Sequence, residues 1–156
     1  MKIGVQTWGS DGDILPFIAL ANGLSAAGHS VSTVYTSVDN KEYVSLGAYS
    51  GISIVKVYEG FDQPREEILA QILNTRNPLK ELALTLENFF DPAVEKMNAA
   101  AKQLSRESDL VVGHVIHYPL AIAAGSTGCP RVSVALCPIL IGSKYVSPLG
   151  PSFGNG

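Results

Sequence analysis

The chain has 156 residues, 46% of them apolar and 16% charged, with a net charge of −3. That balance fits one globular domain and argues against a disordered segment. The eleven basic residues are scattered rather than grouped, so no nucleic-acid partner is expected.

Cys129 and Cys137 sit in no CxxC or Cys/His cluster, and both read as buried thiols in a reducing compartment; no metal site is expected. Met1-Lys2 leads straight into an apolar run without the h-region of a signal peptide. No stretch approaches the ~18 consecutive apolar residues of a membrane span. A soluble, cytoplasmic chain without a membrane span is expected.

Ile3 to Trp8 reads as a first strand, closed by the turn-rich Gly9-Ser10-Asp11-Gly12-Asp13. Ile14, Phe17, Ile18, Ala21 and Leu24 then recur at helical spacing, and Gly28 is a natural left-handed stop. Pro16 is tolerated near the helix start, where its missing N–H costs nothing. Ser30 to Thr36, rich in β-branched residues, predicts a second strand. Asn40 to Tyr49 suggests a short helix, and Ile52 to Tyr58 a third strand.

Three helices should follow, beginning near Pro64, Asn77-Pro78 and Asp91-Pro92, where capping residues and early prolines fall. Leu79, Leu82, Leu86 and Phe89 would line the inner face of one. Val94, Met97, Ala101 and Leu104 would line the next; both stripes read as core-facing, with an acceptor-lining role at some of these positions as the alternative. Asp109 to His114 reads as a fourth buried strand, Pro119 to Thr127 as a helix of small residues, and Arg131 to Cys137 as a fifth strand. Strands alternating with helices predict an α/β fold, a Rossmann-like open parallel sheet with helices on both faces, over residues 1–146. Ser147 to Gly156 reads as a loop or a truncated end.

In such a sheet, ligands bind at the carboxyl ends of the strands. Those ends carry Gly9 to Asp13 after the first strand, and His114 and His117 after the fourth. The glycine spacing Gly9-x-x-Gly12 is not the G-x-G-x-x-G of dinucleotide sites, and no Gly-Lys-Ser/Thr follows.

Gly9-Ser10-Asp11-Gly12-Asp13-Ile14-Leu15-Pro16 through Ala21, with Leu24 and Ala27-Gly28-His29-Ser30-Val31, resembles the opening of GT-B glycosyltransferases. It is most similar to the sterol, glycopeptide and glycolipid branch, the family 28 N-terminal domain. Asp109-Leu110-Val111-Val112, Ala123-Ala124 and Thr127-Gly128-Cys129-Pro130, with Val132 and Pro138, extend the resemblance. The middle helices do not match.

The resemblance implies the acceptor-binding half of an inverting enzyme that needs neither metal nor cofactor, with a nucleotide-diphosphate-sugar as co-substrate. The donor-binding C-terminal domain, absent from this sequence, would be supplied in cis or in trans. This piece alone is then expected to be inactive. Asp13 falls where the family places its catalytic base, and Ser10 and Gly12 fall in the loop facing the donor. Relatives often carry a basic residue at position 11, where this chain has Asp11.

Each of these residues has a structural reading too. Asp13 sits where an N-terminal cap belongs. His114 aligns with an acid that orients a histidine base in plant relatives, so Asp13 and His114 would pair with their roles exchanged; a buried, hydrogen-bonded histidine is the alternative. His117 either begins the following helix or touches an acceptor, and Trp8 either packs or touches one. His29 belongs to the turn after Gly28. Asp39 could hold a ribose only in a nucleotide-binding reading that the glycine spacing disfavours. Besides a transferase of sugar to a largely apolar lipid, sterol or natural-product hydroxyl, two readings stay open: a non-catalytic, acceptor-binding or membrane-recruiting subunit, and a nucleotide-binding domain.

Overall fold

The computed structural model describes residues 1–47, 51–61, 65–75, 77–141 and 144. Five strands, β1 (Lys2–Gly9), β2 (Ser30–Ser37), β3 (Ser53–Lys56), β4 (Leu110–His114) and β5 (Arg131–Val134), form one parallel sheet in the order β3-β2-β1-β4-β5. Helices α1 (Asp11–Ala26), α2 (Arg65–Asn74), α3 (Pro78–Phe89), α4 (Val94–Glu107) and α5 (Tyr118–Thr127) connect them. The strand order reverses at β1, which puts the switch point beside the β1–α1 loop.

Alternation along β1 decides which helix covers which face. Ile3 and Val5 turn toward α1, whose Ile14, Phe17, Ile18 and Ala21 are buried with Val31 and Val112. Each large side chain removed from water here contributes about 1.5–3 kcal/mol. Gly4 turns the other way, and a β-carbon there would lie 2.4 Å from Leu104 Cγ, so α4 rests directly on the backbone. Ala101 and Leu104 of α4 then meet Leu120, Ala123 and Ala124 of α5 over Val111.

The ends of the helices follow their sequence signals. Gly28 (φ 88°) stops α1 and Gly128 (φ 71°) stops α5. Asn77 Oδ1 accepts from the Leu79 and Lys80 amides at 3.0 and 3.3 Å, with Pro78 opening α3. Asp91-Pro92 starts a 3₁₀ turn, Asp91–Ala93, that runs into α4. Pro64 and Ser147 to Gly156 lie outside the described residues.

Several expectations are corrected. The helix expected over Asn40 to Tyr49 is only a 3₁₀ turn, Val44–Gly47; residues 48–50 are not described. Side chains there take the backbone donors a helix would need: the Lys41 amide donates to Ser37 Oγ at 3.0 Å and the Tyr43 amide to Tyr35 Oη at 3.1 Å. β3 and β5 are shorter than expected.

The inner stripe of α3 is also rotated. Leu79 (63% exposed) and Leu82 (45%) face outward, while Phe89 is buried and Leu84, Thr85 and Leu86 are half-buried. Cys137 is exposed and Cys129 half-buried, so the two thiols are not both core residues. Among the described residues, no helix is long and apolar enough to cross a membrane.

Candidate functional site

Only Ser10 separates the end of β1 from the start of α1. So tight a connection brings Asp13, one turn into α1, back over the strand end. The Ser10 amide donates to Asp13 Oδ2 at 3.0 Å, and Ser10 Oγ donates to the same oxygen at 3.4 Å. Ser10, not Asp13, is the N-terminal cap of α1, which corrects the structural reading: Asp13 stands at the third helical position and accepts back from the Ser10 amide, as the acidic half of a capping box. Among the described residues, Asp13 Oδ1 takes no hydrogen bond.

Asp13 lines a crevice of about 260 Å³ between the β1–α1 loop and the α2–α3 pair. Gly9 and Ser10 share that edge with it, and the walls are Trp8, Val38, Leu69, Ile72, Thr85 and Phe89. Trp8 is held in place by a hydrogen bond from Nε1 to Phe89 O at 2.6 Å and by edge contact with Phe90 at 5.0 Å. It thus packs and lines the crevice at once. A wider groove of about 410 Å³ runs along β2 and β3 against α4, but no residue of the β1–α1 loop lines it. The carboxyl-end crevice is the one lined by Asp13.

His114 ends β4 on the α1 side, beside Phe17 at 6.3 Å, and is 6% exposed. Its Nδ1 accepts the Ile116 amide at 3.3 Å, which leaves the proton of the neutral ring on Nε2. Burial pushes its pKa below the ordinary histidine value, and the charge of Asp13 opposes that shift. The two groups feel each other's field but are not joined by a hydrogen bond: Asp13 Oδ2 bonds to Ser10 and His114 Nδ1 to Ile116. The direct carboxylate–imidazole pair expected from the sequence is not formed.

His117 is 1% exposed and accepts the Leu120 amide on Nδ1 at 3.4 Å, capping α5. Sealed under the ring of Phe90 at 6.0 Å, it lines no part of the crevice, so its expected acceptor contact is corrected to a structural role. Burial, helped by the charges of His114 and Arg131, pushes its pKa down to about 4. Gly12 lies exposed in the first turn of α1, with nothing within 4 Å of where a β-carbon would stand.

Asp11 is drawn away from the crevice by Tyr43 Oη, which donates to it at 2.5 Å, and by an ion pair with Lys41. Asp39 accepts from Ser37 Oγ at 2.5 Å and pairs with Lys41 at 3.3 Å, so it serves the β2 end rather than a ribose. Of the crevice wall, sequence reasoning offered an acceptor-lining role for the stripe that includes Phe89 but missed Leu69 and Ile72 of α2 and Thr85 of α3, because a helical stripe facing a crevice has the same period as one facing a core.

No protein-family model matches the chain, and no curated protein matches it. Solved structures share its fold. The calicheamicin glycosyltransferase CalG4 matches at 16% identity with a TM-score of 0.58, over 93% of this chain and 34% of its own. The glycosyltransferase VinC, solved in complex with DTDP, matches at 24% identity with a TM-score of 0.57, over 87% of this chain and 35% of its own. The C-terminal domain of PF1911 hydrogenase from Pyrococcus furiosus matches at 14% identity with a TM-score of 0.57, over 85% of this chain and 89% of that domain. This chain spans about a third of the two glycosyltransferases. The likeness establishes a parallel α/β fold shared by glycosyltransferases and a hydrogenase domain.

Proposed function

We propose that the chain is the acceptor-binding, N-terminal domain of an inverting GT-B glycosyltransferase. It would act on a nucleotide-diphosphate-sugar and a hydroxyl of a largely apolar acceptor. The observation that carries this reading is the placing of Asp13: it lines a mostly apolar crevice, with Oδ2 held by Ser10 and, among the described residues, no hydrogen bond to Oδ1. The sequence resemblance of the β1–α1 segment and the fold shared with two glycosyltransferases support it.

In the proposed reaction an acceptor hydroxyl lies against Asp13 Oδ1. Its oxygen attacks the anomeric carbon, Asp13 takes its proton, and the nucleoside diphosphate leaves from the opposite face. Ser10 and Gly12, at the positive end of α1, would face the donor's phosphates. A second domain, in cis or in trans, would hold most of the donor. His114, neutral and within the field of Asp13, would stabilise the carboxylate's surroundings without taking the proton.

The test is transfer by the full-length protein from a panel of UDP- and TDP-sugars, with Asp13→Asn and His114→Gln alongside. No transfer from any donor, or full activity of Asp13→Asn, removes the reading. One observation favours a second reading, a non-catalytic acceptor-binding subunit: the bond from Ser10 accounts for Asp13 as a capping-box partner alone. Acceptor binding without transfer would support it. Tight nucleotide binding by residues 1–156 alone would instead favour a nucleotide-binding domain.

A further inference from the structure

The hydrogen-bonding sense of the crevice walls constrains what can enter, given the acceptor-site reading proposed above. Among the described residues, three side chains lining the crevice carry donors, and each donates within the protein. Trp8 Nε1 donates to Phe89 O at 2.6 Å, Ser10 Oγ to Asp13 Oδ2 at 3.4 Å, and Thr85 Oγ1 to Glu81 O at 2.9 Å. The Ser10 amide also donates to Asp13 Oδ2, at 3.0 Å.

What the crevice side chains keep for a guest is therefore acceptor capacity, at Asp13 Oδ1 and at the remaining lone pairs of Thr85 Oγ1. The other wall side chains, such as Leu69 and Ile72, are apolar.

A guest that brings a carbonyl or carboxylate into these walls leaves an acceptor without a donor, and burying an unmatched polar group is costly. A carboxylate also meets Asp13 as a like charge. A guest that brings hydroxyl groups finds a partner for each. At about 260 Å³ the space is smaller than the roughly 300–1,000 Å³ of sites that enclose drug-sized ligands, so the part that enters is compact.

We infer that the crevice selects a neutral, compact, largely apolar compound bearing two hydroxyl groups, one donating to Asp13 Oδ1 and the other to Thr85 Oγ1. Thr85 is then the residue that sets acceptor specificity. It belongs to α3, one of the middle helices that carry no part of the sequence resemblance.

Three probes on one ring system separate the possibilities: decalin-2,6-diol, decalin-2-ol and 6-hydroxydecalin-2-carboxylate, titrated calorimetrically into the full-length protein. The diol is expected to bind about fivefold more tightly than the mono-alcohol, the worth of one net hydrogen bond. The hydroxy acid should bind at least about tenfold more weakly than the diol.

Thr85→Val should reduce the diol to the mono-alcohol's affinity and leave the mono-alcohol unchanged, while Thr85→Ser, which keeps the hydroxyl, should retain the preference. Equal affinities, binding of no probe, tighter binding of the acid, or a diol preference that survives Thr85→Val overturns the inference. Sugar transfer to the same probes is read separately. Diol selectivity without transfer supports the inferred crevice chemistry and counts against catalysis. Transfer to diol and mono-alcohol alike, at equal affinity, overturns the inference and leaves the transferase reading standing.

Discussion

Asp13 leans over Gly9 so closely that a β-carbon on Gly9 would lie 2.2 Å from Asp13 Oδ2. Gly9 also has a φ of 135°, a conformation that side-chain-bearing residues rarely adopt. Gly9→Ala should therefore cost about 1–3 kcal/mol of stability through backbone strain. It should also push the carboxylate off Ser10 and depress transfer by the full-length protein. Denaturant unfolding and a transfer assay on one preparation check both effects. A variant with wild-type stability and activity would mean the loop is not shaped by this contact.

Capping and catalysis by Asp13 can be separated. Asp13→Asn keeps an oxygen for the Ser10 amide, so stability should change by less than about 1 kcal/mol. Its amide cannot take a proton, so transfer should fall by about 10²–10⁴. Asp13→Ala loses both functions and should be destabilised by about 1 kcal/mol as well. If the asparagine variant turns over normally, the carboxylate is only a capping-box partner.

The fold was legible in the sequence because its strands and glycine stops are local signals. Ile3 and Val5 alternate with Gly4, and Gly28 and Gly128 mark helix ends by a backbone requirement that needs no partner. The placing of Asp13 and His114 at neighbouring strand ends was legible for the same reason. Their failure to bond was not. The backbone turns aim Asp13 Oδ2 at the Ser10 amide and His114 Nδ1 at the Ile116 amide, and that orientation is not readable from residue order. His117 was legible as a helix start, but its complete burial depends on Phe90, 27 positions earlier, folding over it. The α3 stripe went astray because a repeat of leucines marks a face without saying whether anything covers it.

Position 11 shows how a departure from a family pattern can be structural. Tyr43, 4% exposed, donates from Oη to Asp11 at 2.5 Å and also stacks edge-on with Tyr35 at 5.2 Å. The bond ties the first turn of α1 to the chain that follows β2. Tyr43→Phe keeps the ring contact and removes only the hydroxyl, so it should cost about 1–2 kcal/mol, within the range for a hydrogen bond to a charged group discounted for the solvent around Asp11. Asp11→Asn in the Tyr43→Phe background should then cost much less than in the wild type. A double-mutant cycle read by urea unfolding measures this, and additive losses would show the pair to be uncoupled.

His117 makes the protein's stability depend on pH in a stated direction. Its folded pKa of about 4 lies below the ~6.5 of an unfolded histidine, chiefly because burial disfavours the charged ring. Between those values the unfolded chain binds a proton that the folded chain refuses. Stability from this group is thus fully present above about pH 6.5 and is lost as pH falls toward about 4, by a total on the order of 3 kcal/mol. His114, whose pKa burial also lowers, adds to the loss in the same direction. His117→Asn keeps an oxygen for the Leu120 amide and removes the titration, so its stability should vary less across that window whatever its absolute level. Urea unfolding of both proteins from about pH 7 to about pH 4 reads the two slopes. Parallel curves would show that His117 does not resist protonation in the folded state.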